Sequence, residues 1–99
     1  MNIIILRHKG AVEWLNVKGI NGSVYPHASR ELIDSFPKNA VVYGVLPMDL
    51  IAHVLSRGLR FIWVKVNFRP EDRGKDLSFE EMCERSQLVE VRSLELQKV

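Results

Sequence analysis

The chain is poor in the residues that build covalent or metal-bound frameworks. It has one cysteine, Cys83, which excludes an internal disulfide and a cysteine-based metal site. Cys83 falls within a helical pattern, where a small buried or half-buried apolar group is the expected role. No cluster of histidine and cysteine has zinc-ligand spacing, and there is no Walker loop or G-x-G-x-x-G motif. We therefore expect neither a metal ion nor a cofactor.

Long apolar runs and a strong excess of one charge are also missing. The first apolar run ends in charge after four residues, too soon for a signal peptide or a membrane span, so a cytoplasmic protein is expected. The 14 Lys and Arg residues against 12 Asp and Glu residues give a net charge of +2. This balance gives no argument for binding long nucleic acids, although a local basic cluster can still bind a small polyanion.

What the chain does contain is typical of one globular domain spanning residues 1–99. Apolar residues make up 46% and charged residues 26% of its 99 positions. Continuous apolar runs at residues 3–6 and 40–46 predict two strands buried on both faces. Helical patterns separate these strands from shorter ones, in the order β-α-β-α-β-α-β-α-β. This alternation predicts an α/β fold, with a mainly parallel five-stranded sheet and helices on both faces.

Several local signals mark the ends of these elements. Pro26 limits the second strand or places it near an edge of the sheet. Ser29 is suited to cap the second helix, and Ser78 with Glu81 forms a capping box for the fourth. The C-terminal alternation, over residues 88–97, shifts phase near Arg92 and predicts a bulge or an edge strand. Two tryptophans and one histidine, Trp14, Trp63 and His53, are expected to be buried in the core, His53 with a hydrogen-bond partner or at an interface.

Basic side chains follow the first predicted strand at once. Arg7, His8 and Lys9 precede Gly10 and Ala11, which open a helix. The start of a helix has free N–H groups and the positive end of the helix dipole, so this stretch outlines an anion site. Arginine suits bidentate phosphate contacts, and histidine can act as an acid or a base near neutral pH.

Two more groups fall at the ends of predicted strands on the same edge of the sheet. His27 ends the second strand, and Arg69 and Arg73 follow the fourth. If the first and third strands are neighbours, the binding crevice lies between the first basic group and the segment Gly44-Val45-Leu46-Pro47. From the residues alone, each group also fits a simpler role, as loop charges, a surface histidine or a solvated charged loop. Cations and histidines without metal ligands suit RNA cleavage in which a ribose 2′-hydroxyl attacks its own 3′-phosphate.

At these residues the chain resembles a known family, the small CRISPR-associated ring nucleases of type III systems that degrade cyclic oligoadenylate. Their pattern Arg-His-x-Gly-Ala-x-Glu-Trp-Leu corresponds to residues 7–15, and Gly-x-Leu-Pro-x-x-Leu-x-Ala to residues 44–52. The histidine of the second strand corresponds to His27, and Arg-Gly-x-x-Leu-Ser to residues 73–78. One position differs, because the family favours Ser before the Arg and this chain has Leu6.

The resemblance implies a small Rossmann-like three-layer domain that works as a homodimer. The implied partner is a cyclic oligoadenylate second messenger, and the ring size that the family implies is that of cyclic tetra-adenylate. Its cleavage, without metal, would switch off antiviral signalling. On this hypothesis the catalytic residues are Arg7, His8 and His27. The substrate is held by Lys9, Gly10, Ala11, Gly44, Leu46, Pro47, Arg69 and Arg73.

Three alternatives stay open at this point. A binding module would hold the ring without cutting it, and Leu6 favours this. In a histidine-phosphatase-like enzyme, His8 would itself accept the phosphoryl group of the substrate. That family, however, has Gly directly after the His, and this chain has Lys9. A subunit of a larger assembly would bind no small ligand at all.

Overall fold

Strands and helices alternate along most of the chain in the computed structural model, which describes residues 1–99. The strands are β1 (Asn2–Ile5), β2 (Ser23–Tyr25), β3 (Val41–Gly44), β4 (Arg60–Val66) and β5 (Ser86–Val91); the helices are α1 (Lys9–Val17), α2 (Arg30–Asp34), α3 (Met48–Ser56) and α4 (Phe79–Arg85), and a 3-10 turn covers Pro70–Asp72. None of the helices combines the length and the apolar character needed to cross a membrane.

The five strands form one sheet in the order β2-β1-β3-β4-β5. The first four strands are parallel, and β5 lies antiparallel to β4 at the edge. The predicted α/β fold, with a mainly parallel sheet and a C-terminal edge strand, is confirmed. The chain runs outward from β1 to β2 and then crosses back to β3, so the topological switch point lies between β1 and β3. In such sheets ligands bind beyond the carboxyl ends of the strands at this point.

The core lies on both faces of the sheet because successive strand residues point to opposite sides. Ile3 and Ile5 pack on the face covered by α2 and α3, whereas Ile4 packs on the face covered by α1 and α4. All three are at most 3% exposed, which confirms β1 as a central strand. A strand packed on both faces gives the residues that follow it a fixed position.

The predicted helix caps are confirmed. The Ser29 hydroxyl accepts a hydrogen bond from the Leu32 N–H at 3.1 Å. Ser78 and Glu81 exchange the two bonds of a capping box, at 3.2 and 3.1 Å. Leu77, just before this box, is buried against the same core cluster as α1.

Three predictions about the second half of the chain are wrong. The last strand begins at Ser86 and ends at Val91, not over residues 88–97, because it pairs with β4 only from Ser86 to Val91. Trp63 is 37% exposed, whereas Trp14 is buried as predicted. Cys83 is exposed, because α4 turns its neighbours Met82 and Arg85 inward.

Candidate functional site

The end of β1 leads directly into the start of α1. His8 occupies the N-cap position, but its side chain makes no capping hydrogen bond, and the first turn of α1 contains no acidic residue. The N–H groups of Gly10 and Ala11 belong to the first turn of α1 and so have no partner within the helix. Gly10 also has a packing role, since a Cβ there would overlap the carbonyl oxygen of Leu77.

A cationic cleft of about 660 Å³ opens beside this helix start. It brings together basic residues that the sequence places far apart, Arg7 and His8 after β1 with Arg69 and Arg73 after β4. Lys75 adds a further cation. Such a concentration of guanidinium groups suits the binding of phosphate.

A second cleft of about 610 Å³ adjoins the first and is mostly apolar. The two clefts share Arg7, His8 and Phe68. The second cleft occupies the crevice between β1 and β3 that was predicted from their expected neighbourhood. Its walls include three more residues of the predicted site: His27, Leu46 and Pro47.

The remaining residues of the predicted site lie outside these two clefts. Ala11 lines a small apolar pocket of about 90 Å³ together with Leu6 and His8. Lys9 is exposed at the first position of α1 and lines none of the three cavities. Gly44 lies where β3 passes close to β1, and a Cβ there would overlap the Ile5 carbonyl oxygen.

The loop of residues 69–76 is held in place by a buried carboxylate. Asp72 is 2% exposed, accepts a hydrogen bond from the Arg69 N–H at 2.8 Å, and forms an ion pair with the buried guanidinium of Arg85. The Arg69 N–H, together with Arg85, holds the pKa of Asp72 below its ordinary value despite burial. Lys75 lies 2.9 Å from Glu81 Oε2, whose carboxylate raises the pKa of Lys75. The loop is therefore anchored at Asp72, while its other residues are exposed to solvent.

The same loop carries a residue that sequence reasoning missed. Asp76 Oδ1 lies 2.8 Å from His8 Nδ1. No spacing rule signals this contact, because it depends on the path of the loop from β4 back to the end of β1.

Two exposed aromatic residues were also missed as site residues. Trp63 lines the apolar cleft and Phe68, which is 67% exposed, lines both clefts. Their exposed rings offer faces on which a nucleobase can stack. The sequence does not distinguish Trp63, in the middle of β4, from a core aromatic residue, whereas Phe68 follows the carboxyl end of that strand.

No three side chains of His, Cys, Asp or Glu lie together as a metal-binding group needs. His53, the third histidine, lies away from both clefts and has its Nε2 2.7 Å from Asp34 Oδ1. This confirms the prediction of a satisfied histidine.

Comparison with known proteins finds a family that matches most of the chain. A family model described as "Putative CRISPR-associated protein (Cas_VVA1548)" matches residues 3–93, a range that contains β1 from Ile3 onward, the other four strands and both clefts. No curated protein and no solved structure matches the chain.

Proposed function

Because the chain belongs to the CRISPR-associated protein family Cas_VVA1548, and resembles type III ring nucleases at its clefts, we propose that it binds and linearises cyclic oligoadenylate. The expected ring is cyclic tetra-adenylate. Opening the ring in the cytoplasm would remove the messenger that activates antiviral effectors. The observation that carries this proposal is the cationic cleft, joined to an apolar cleft through His8 at the switch point of the sheet.

The two clefts match the two chemistries of an oligonucleotide. Arg7, Arg69 and Arg73 face the cavity in which phosphates would lie, and α1 starts at the same cavity, since its N-cap residue His8 lines it. Trp63 and Phe68 offer apolar ring faces to the bases. A nucleotide ring can therefore place its charged backbone and its bases in adjoining cavities at once.

The proposed reaction is a transesterification. The 2′-oxygen of one adenosine attacks the adjacent phosphorus, so that a 2′-O–P bond forms and the P–O5′ bond breaks. The 2′-hydroxyl proton goes to His8 Nε2, and the departing 5′-oxygen takes a proton from His27 or from water. Arg7 stabilises the negative charge that develops on the phosphoryl oxygens. The products are a linear oligoadenylate with a 2′,3′-cyclic phosphate and a free 5′-hydroxyl.

A homodimer is the proposed working unit. Cyclic tetra-adenylate consists of identical repeats, so two copies of one cleft related by a two-fold axis could contact it equivalently. Sedimentation velocity with and without the ring tests this. The proposal requires a species of twice the 11.4 kDa chain mass, and a monomer that binds one ring by itself would overturn it.

The activity is tested by incubating the protein with cyclic tetra-adenylate and a chelator, and separating the products by chromatography. We expect linear products from the wild type and from Lys38→Ala, which removes an exposed cation between α2 and β3, at the opposite end of the sheet from the clefts. Arg73→Ala should bind the ring more weakly, because it removes a cation from the cleft. An intact ring after prolonged incubation at high protein concentration would reject cleavage.

A second candidate function is sequestration of the ring without cleavage. Leu6 favours it, because a half-buried leucine stands beside Arg7 where the family favours serine, so the site lacks that hydroxyl. Stoichiometric binding of the ring with no product would establish this alternative.

A further inference from the structure

The imidazole of His8 has one ion-pair partner. Its Nδ1 lies 2.8 Å from Asp76 Oδ1, and Asp76 pairs with no other cation. A neutral histidine that donates its Nδ1–H to a carboxylate keeps Nε2 as a free acceptor.

The 69–76 loop brings this carboxylate to His8. The buried Asp72–Arg85 pair fixes the middle of the loop, and Lys75, the residue before Asp76, is held by Glu81 at 2.9 Å. Asp76 therefore approaches the end of β1 from an anchored segment.

A carboxylate is unfavourable in a site that only holds phosphates. Asp76 lines the cationic cleft together with Arg7, Arg69 and Arg73, where its negative charge repels an anionic ligand. As an exposed surface ion pair, with His8 46% and Asp76 74% exposed, it would contribute little to stability. Neither phosphate binding nor folding accounts for it, whereas orientation of an acid–base group does.

We propose that Asp76 is a positioning residue for His8, fixing the imidazole so that Nε2 accepts the 2′-hydroxyl proton. This inference rests on the proposed ring cleavage. It also distinguishes a protein that cleaves the ring from one that only sequesters it. A sequestering module gains nothing from a carboxylate in its phosphate cleft.

The first test compares Asp76→Asn with the wild type and with Glu95→Gln, which removes an exposed carboxylate near the C-terminus. Removing the Asp76 charge removes its repulsion of the phosphates. It should tighten binding of cyclic tetra-adenylate about two- to fivefold, which is the usual effect of one interaction between exposed charges. The single-turnover cleavage rate should fall about tenfold or more, part of the ~10²–10⁴-fold that a general base contributes. Opposite changes in affinity and rate support the proposal. Parallel losses of both, or an unchanged rate, overturn it.

The second test needs no activity. Nitrogen-15 chemical shifts report which nitrogen of the neutral His8 ring carries the proton. We expect the Nδ1–H form in the wild type and a shift toward Nε2–H in Asp76→Ala. The Nε2–H form in the wild type would overturn the assignment. If the ring is not cleaved at all but His8 shows the Nδ1–H form, the proposed function fails while the His8–Asp76 geometry stands.

Discussion

At the scale of single residues, His8 and His27 occupy different surroundings although both line the apolar cleft. His8 has a carboxylate on Nδ1 and stands at the start of a helix. His27 follows the edge strand β2 and is exposed. The two histidines are therefore expected to differ in importance.

We predict that His8→Ala lowers the rate of ring cleavage about 10²–10⁴-fold, the usual contribution of a general acid or base, and changes ring affinity much less. His27→Ala, the matched histidine variant, should lower the rate by a smaller factor. Single-turnover rates at saturating protein measure both. A His8→Ala protein that cleaves normally while His27→Ala is inactive would reverse the assignment of roles.

Phe68 gives a prediction about the bases. Its exposed ring borders both clefts, so Phe68→Leu should weaken binding of cyclic tetra-adenylate by roughly 1–3 kcal/mol, the value of one base stacked on an aromatic ring. Phe68→Tyr keeps a ring and should retain affinity. Val17→Ala, at the exposed end of α1, is the control in calorimetry. Equal affinity in Phe68→Leu and the wild type would exclude stacking there.

Residue-level prediction from the sequence succeeded where position along a strand decides the outcome. Arg7 and His8 could be placed because they follow a buried strand. Asp76 could not, because its contact depends on a loop conformation. Trp63 was misplaced because strand alternation does not show what covers a residue. Its neighbour in β3 is Gly44, which has no side chain to cover the ring.

At the scale of elements, local sequence signals determine where the helices begin, whereas pairing with β4 determines the bounds of the last strand. The capping box of α4 could be predicted from spacing alone, and Leu77 and Met82 beside it are buried. The bounds of β5 could not, because they follow from its antiparallel register with β4.

The α4 cap yields a stability prediction. Ser78→Ala removes the hydroxyl that accepts the Glu81 N–H, and should lower the free energy of unfolding by about 1 kcal/mol. In a domain of this size that corresponds to a melting temperature lower by about 4–8 °C. Ser93→Ala, an exposed serine outside any helix, should melt like the wild type. An unchanged melting temperature in Ser78→Ala would show that the cap does not limit stability.

At the scale of the whole molecule, the parallel arrangement of β1 to β4 places the ends of four strands on one edge. The strand order of the sheet also places β1 beside β3. The loops after β1, β2, β3 and β4 therefore meet around the clefts. This gathering was predictable once strand order was assumed. The anchoring of the 69–76 loop by Asp72 and Arg85 was not, because the two residues lie in different elements.

This anchor predicts how stability depends on pH. The pKa of Asp72 is lower in the folded chain than its ordinary value of 3.8. Its stabilising contribution is therefore complete above that ordinary value and is lost as the pH falls toward the folded-state pKa. Asp72→Asn should be less stable than the wild type at pH 7, and the difference should shrink by pH 3. Urea unfolding at both pH values measures this, with Glu95→Gln as control. A difference that grows at pH 3 would contradict the assignment.

The central claim is that the ring's own 2′-hydroxyl opens it. The most direct measurement is mass spectrometry of cyclic tetra-adenylate incubated with the protein and a chelator in ¹⁸O-labelled water. Transesterification adds no water, so the first linear product should be an isomer of the ring that ends in a 2′,3′-cyclic phosphate and contains no ¹⁸O. An intact ring, or a first product that carries ¹⁸O, would contradict the account.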